Sequence, residues 1–231
     1  MFSIDRVVDL TRPIDGSMAM WPGTPAPIFE ARVTVEENGF FARYAHLWEH
    51  TGTHIDAPAH FIAGGATVER LRADQLVCPA VVVDVTDVCA GKPDYAGSVG
   101  DVERFESAHG TVPRGCAVLV RTGWDAFGSD RERYMGPEGE LHFPGVGEKA
   151  ARLLVEQRGV IGIGIDTLGI DPGNVNEFSV HRHATLVHGA WNLEGLVNLD
   201  QVPPVGAWLV VGALPLVGGS GTPARVFALI G

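Results

Sequence analysis

The chain has 231 residues, of which 45% are apolar and 19% charged, and its formal net charge is −11 at pH 7. That composition describes a globular chain long enough for a substantial core and argues against disorder. The acidic balance argues against a nucleic-acid partner, since phosphate binding needs clustered Lys and Arg, and no apolar run approaches the roughly 20 residues of a membrane span.

The first six residues, Met-Phe-Ser-Ile-Asp-Arg, lack the basic-then-apolar pattern of a secretion signal. The three cysteines, Cys78, Cys89 and Cys116, are odd in number and lack C-x-x-C spacing, so no disulfide framework is expected. A cytoplasmic location follows as the expectation.

In chain order, short apolar runs predict strands over residues 7–10, 80–85, 117–121 and 160–165. A helix is predicted over 148–157, with Ala150, Ala151, Leu153 and Leu154 on its apolar face and Gly159 as its stop. It runs directly into the strand at 160–165, an αβ step found in packed α/β layers. A second helix is expected over 180–188, then strands over 208–214 and 225–230, with a Gly-rich loop over 216–223 between them. The 30 Gly and 15 Pro imply many turns. No linker or repeat interrupts the pattern, which predicts one α/β domain over residues 1–231 with more strand than helix.

Chemistry concentrates between Trp48 and Phe61, where the chain reads W-E-H-T-G-T-H-I-D-A-P-A-H-F. Four of the nine histidines lie between His46 and His60. The β-branched Thr51, Thr53 and Ile55, with Gly52 and Pro58, disfavour a helix. On an extended segment His50, His54, Asp56 and His60 share a face. Residues four apart on a straight strand are separated by about 13 Å, too far to share an ion. The segment is therefore expected to kink at Gly52 and to leave its sheet near Pro58.

Two imidazoles and a carboxylate suit a borderline divalent ion, zinc or manganese, which would activate water for hydrolysis. His60 is the candidate for moving the proton. A polar cluster with a purely structural role is the alternative. A closed structural zinc site fits poorly, because no cysteine lies nearby.

The segment His50-Thr51-Gly52-Thr53-His54-Ile55-Asp56-Ala57-Pro58-Ala59-His60-Phe61 resembles the H-x-G-T-H-x-D-x-P-x-H-F signature of the cyclase-like metal hydrolases, a family that includes bacterial kynurenine formamidases and isatin hydrolases. Asp9-Leu10-Thr11 through Trp21-Pro22-Gly23, Arg121-Thr122-Gly123-Trp124, Gly164-Ile165-Asp166-Thr167 and Leu193-Glu194-Gly195-Leu196 extend the resemblance over nearly the whole chain. It implies a compact layered domain of the swivelling β/β/α type. It implies that His50, His54 and Asp56 bind a first metal, that His60 is catalytic and that Glu194 lies near a second metal or the substrate. The family's second-site histidine falls twelve residues before that glutamate, where this chain has Arg182 between His181 and His183. His183 is assigned the role here, and one or two ions per chain are expected.

The substrate class the resemblance implies is a small amide: an aryl formamide, an N-acyl amine or a cyclic amide. A metal-dependent cyclase or dehydratase, or a binding protein without turnover, are the alternative readings. A homodimer or homotetramer is implied as well. Trp21 and Phe41 are assigned to substrate binding, with Phe40 and Trp48 as further aromatic candidates and core packing as the competing role. Asp166 and Asp171, following a strand, are expected to support the site or cap loops. Two other patterns fail on context. Gly145-Val146-Gly147-Glu148-Lys149-Ala150 lacks a preceding apolar strand for dinucleotide binding, and Ser220 lacks the second glycine of a nucleophile elbow because position 222 is Thr222.

Overall fold

The computed structural model describes residues 3–231. Met1 and Phe2, part of the N-terminal segment read above, lie outside the described residues. Among the described residues there are twelve strands: β1 Arg6–Asp9, β2 Ile28–Val33, β3 Ala42–His46, β4 His54–Asp56, β5 Val77–Asp84, β6 Ala96–Gly97, β7 Ala117–Arg121, β8 Gly145–Val146, β9 Gly162–Ile165, β10 Trp191–Glu194, β11 Ala207–Ala213 and β12 Gly221–Ile230.

The main sheet runs β1-β12-β11-β5-β7-β9-β10-β4, and β12 also pairs with β4. That last pairing closes seven strands into a ring. The long β12 makes closure feasible: its first residues, Gly221–Pro223, pair with β4, while Phe227–Ile230 pair with both β1 and β11. The expected layered arrangement is thus realised as a barrel with helices outside it. The parallel steps β5–β7 and β7–β9 are each bridged by a helical crossover, as parallel pairing requires.

Two buried clusters follow from period-two alternation. Ala80, Val82, Leu119, Trp191 and Leu193 pack with Ile55 and Leu209 in one, drawn from strands around the ring. Val81, Val83, Val118, Val120, Ile163 and Ile165 face the other way. They meet Val102 and Phe105 of helix Val99–His109, Ala150 and Leu154 of the 148–158 helix, and Val180 and Ala184. Strands buried on both faces read as continuous apolar runs, which is why β5, β7 and β9 were legible.

The 148–157 helix forms as Glu148–Arg152 and widens into a π-helical turn, Leu153–Arg158, ended by Gly159 at φ 69°. The helix expected over 180–188 is a π-helical turn, Val180–Thr185, followed by the 3₁₀ turn Leu186–His188. Of the loop expected over 216–223, Gly221, Thr222 and Pro223 belong instead to β12, recruited by pairing with β4. All three cysteines are buried free thiols, and burial pushes Cys78 and Cys89 up to about 11 and Cys116 up to about 12. Among the described residues no helix is long and apolar enough to cross a membrane.

Candidate active site

The kink forms as the sequence implied. Gly52 has φ 66°, β4 spans only His54–Asp56, and Pro58 opens a 3₁₀ turn, Pro58–His60. The turn carries His60 back toward His50, and their rings stack with centroids 3.8 Å apart. Within β4, Ile55 points into the core while His54 and Asp56 share the opposite face. The antiparallel neighbour β10 sets Glu194 directly opposite His54. The 180–185 turn brings His181 over the same face.

Four side chains form a closed polar box. His54 Nε2 lies 3.3 Å from both Asp56 Oδ1 and Glu194 Oε2. His181 Nε2 lies 3.2 Å from Asp56 Oδ2 and 3.1 Å from Glu194 Oε1. All four residues are buried. Each imidazole has its other nitrogen committed: His54 Nδ1 donates to the Gly52 carbonyl at 2.9 Å, and His181 Nδ1 pairs with Asp171 at 2.6 Å. In the neutral rings this turns both Nε2 lone pairs toward the box.

His50 adds a fifth donor. Ser220 has one hydroxyl hydrogen, and Glu49, 2.7 Å away, can only accept it as a carboxylate. His50 Nε2–H then donates to Ser220 Oγ at 2.9 Å, and its Nδ1 faces Asp56 Oδ1 at 2.7 Å. Two acceptors so placed need a proton or a cation between them.

Protons alone impose a characteristic charge pattern. Burial opposes the charge on His54, yet hydrogen bonds to Asp56 and Glu194 raise its pKa to about 10. His181 is likewise raised well above the usual imidazole value, against burial, by Asp171, Asp56 and Glu194. Burial would raise the two carboxyls, but the surrounding imidazoles hold Asp56 well below the usual range and Glu194 near 2. Two buried anions thus draw positive charge into the box. Ligands about 2.1 Å from one ion, at tetrahedral or cis-octahedral angles, lie roughly 3.0–3.4 Å from each other. The observed 3.1–3.3 Å spacings match that range, so the N/O donor set fits a divalent cation.

His60 is no corner of the box, although one of its ring nitrogens lies within 4.8 Å of donor atoms of His50 and Asp56 and could join them around an ion. It makes no side-chain hydrogen bond among the described residues, and burial lowers its pKa to about 4, which leaves the ring neutral at pH 7. It opens onto a pocket of about 260 Å³ that also exposes His50, His54, His181 and Glu194. The pocket's apolar wall is Trp21, Phe61 and Phe178. Phe178 lies 5.8 Å from Trp21 and 5.4 Å from Phe61, and it adopts φ 51°, a backbone conformation costly for a bulky residue.

Two assignments need correction. His183 is exposed and outside the cluster; His181 occupies that place, because the π-helical turn directs it inward and Asp171 fixes its ring. Arg182, between them, lays its guanidinium 4.8 Å from the Phe61 ring centroid. Phe41 does not line the pocket; it is exposed, as is Phe40, beside the β2–β3 hairpin. Trp21 and Trp48 do line it. Asp171 supports His181, while Asp166 accepts from the Thr122 and Gly123 backbone and shapes a neighbouring turn. Ser220, Asp171 and Phe178 lie far from the motif in sequence; Asp171 was expected to support the site, while nothing local marks the bond of Ser220 to Glu49 or the Phe178 wall.

The model of the Cyclase family matches residues 8–172. The chain belongs to the Cyclase family. Among its Cyclase-family relatives, an isatin hydrolase of Roseibium aggregatum is 32% identical over 83% of this chain and 76% of its own. A kynurenine formamidase of Salinibacter ruber is 30% identical over 95% of both chains. The solved isatin hydrolase A of Ralstonia solanacearum superposes with a TM-score of 0.89 at 32% identity, covering 98% of this chain and 92% of that one. A solved structure described as a potential metal-dependent hydrolase with cyclase activity gives 0.74 at 31% identity, over 96% of each chain. This Cyclase-family chain is a metal-dependent hydrolase of non-peptide C–N bonds.

Proposed function

We propose that the enzyme opens a cyclic amide fused to an aromatic ring, with aryl formamides as a second substrate class. The observation that carries this reading is the aromatic wall of Trp21, Phe61 and Phe178 facing a buried cation site and a neutral His60 within one pocket. The likeness to isatin hydrolases supports the cyclic amide, and the near full-length likeness to kynurenine formamidases supports the formamide.

His54, His181, Asp56 and Glu194, with His50 beside Asp56, would hold one or two divalent ions, zinc or manganese. A bound ion supplies Lewis-acid polarisation of the amide carbonyl and acidifies water. The residues contribute the remainder. Gly52 and Asp171 fix the imidazole tautomers. The aromatic wall stacks the substrate ring and keeps bulk water from its plane. A nitrogen of His60, neutral and unbonded, takes a proton from the attacking water and returns it to the departing amide nitrogen.

Turnover assays on isatin and N-formylkynurenine test the reading. Ring opening of isatin with the higher kcat/KM is expected. Cleavage of the formamide alone would reverse the substrate order, and no cleavage of either would overturn the proposal.

A further inference from the structure

Three corners of the polar box have a fixed partner behind them, and the fourth does not. His54 Nδ1 donates to the Gly52 carbonyl, and His181 Nδ1 is held by Asp171. Glu194 Oε1 accepts the Ile170 backbone N–H at 2.7 Å. Asp56 is met only by imidazole nitrogens: His50 Nδ1 and His54 Nε2 at Oδ1, and His181 Nε2 at Oδ2. It is fully buried, so bulk water supplies no donor.

Those imidazoles cannot serve both Asp56 and an ion. A ring that turns its Nε2 lone pair to a cation has no hydrogen there for a carboxylate. Gly52 and Asp171 hold the Nδ1 hydrogens of His54 and His181, and Ser220 holds the Nε2 hydrogen of His50. All three nitrogens facing Asp56 are then acceptors, and a loaded box leaves that carboxylate without a donor. The lone pairs of a buried ligating carboxylate that do not face the ion need N–H or O–H partners.

An amide stands beside it. Asn192 is fully buried in β10, and neither its Oδ1 nor its Nδ2 has a hydrogen-bond partner; no other buried side chain among the described residues is left so. Alternation sends Trp191 and Leu193 into the barrel core and sets Asn192 and Glu194 on the face that carries the site. The β10–β4 register places Asn192 directly opposite Asp56, as it places Glu194 opposite His54. Cβ atoms so paired lie about 4.5–5.5 Å apart, a gap that an Asn and an Asp side chain close with one hydrogen bond. On its other flank Asn192 is paired with Ile163 of β9, whose side chain offers no polar atom. A strand position and an apolar flank both disfavour asparagine, so its presence here calls for a partner.

We propose that Asn192 is a positioning residue for the cation site: its Nδ2–H donates to the Asp56 carboxylate when an ion occupies the box, and so holds that ligand in place. Asn192 does not line the pocket, so it acts through Asp56 and not on the substrate. The inference rests on the cation site of the proposed function and is independent of the substrate class.

Two variants test it. Asn192→Leu keeps the volume and removes the donor; Asn192→Thr keeps a donor on a residue suited to a strand. Wild type and both variants are stripped with chelator and titrated with zinc and with manganese by isothermal calorimetry. The chelated forms are melted by differential scanning calorimetry. The Leu variant is expected to bind the ions about 10–100-fold more weakly, the loss that follows removal of a partner behind a ligand. Without metal it is expected to melt at or above the wild-type temperature, because a buried unpaired amide has been removed. These opposite signs separate positioning from packing. The Thr variant is expected to bind more nearly like wild type than like the Leu variant. Wild-type affinity in the Leu variant, or a Thr variant as weak as the Leu variant, would overturn the hydrogen bond. A chelated Leu variant that melts below wild type, or fails to fold, would make Asn192 a packing residue and overturn the proposal as well. A wild type that takes up neither ion would sink the cation site itself, and the proposal with it.

Discussion

Replacing His181 and His183 separately discriminates sharply between two positions two residues apart. His181 bridges Asp171, Asp56 and Glu194 at 2.6–3.2 Å, and its side chain is 6% exposed. In chelator-treated protein, His181→Ala removes the cation that these three carboxylates share. Breaking a buried ion cluster by deleting one partner costs about 3–5 kcal/mol. For a chain of this length each kcal/mol moves the melting temperature by about 2–4 °C, so a fall of about 6–20 °C is expected. His183 is exposed and outside the cluster, and His183→Ala should change stability by no more than about 0.5 kcal/mol. Differential scanning calorimetry on both variants, with metal per chain by mass spectrometry, reads the contrast. His181→Ala is expected to lower metal content and kcat/KM as well. A His183→Ala variant that lost metal while His181→Ala retained it would refute the placement.

His60→Ala should retain wild-type metal content and lose at least about 100-fold in kcat, as expected for a missing proton-transfer group; simultaneous loss of metal would make His60 a ligand. Gly221→Ala places a methyl carbon 2.6 Å from His50 Cε1 and 2.6 Å from the Ile55 carbonyl. His50 must swing away, and displacements near 1 Å can cost about 100-fold in rate, so kcat/KM should drop at least tenfold with the circular dichroism spectrum retained; an active Gly221→Ala enzyme would exclude His50 from the site. In the chelated protein, the stability supplied by protonated His54 is complete below about pH 6.5 and is lost as pH rises through about 10. An ion needs that ring neutral, so the melting-temperature gap between metal-loaded and chelated protein should widen from pH 6.5 to 9, and a narrowing gap would contradict the cation site.

Legibility in the sequence tracked burial and local constraint. Strands β5, β7 and β9 lie inside the molecule and show as apolar runs. The hairpin strands β2 and β3 are exposed along their length and carry no period-two signal, so they could not be read. Helix Val99–His109 was missed because its burial rests on few residues, Asp101, Val102 and Phe105. Closure of the ring depends on Gly221–Pro223, where glycine and proline mimic a loop while tertiary pairing imposes a strand. At the site, the His50–His60 segment was legible because Gly52 and Pro58 constrain the chain around it. His181 was not separable from His183 by spacing. The choice between them is made by a π-helical turn, which leaves no local mark, and by Asp171, which was read as a supporting residue but whose pairing with His181 ten residues later the spacing does not show.

The most direct measurement is metal per chain in the purified enzyme, with isatin and N-formylkynurenine turnover followed through chelation and stepwise reconstitution with zinc or manganese. Stoichiometric bound metal is predicted, with activity lost on chelation and regained in proportion to the ion restored. Turnover that persists in metal-free protein, or a cluster that takes up neither ion, would contradict the assignment of a metal-dependent hydrolase.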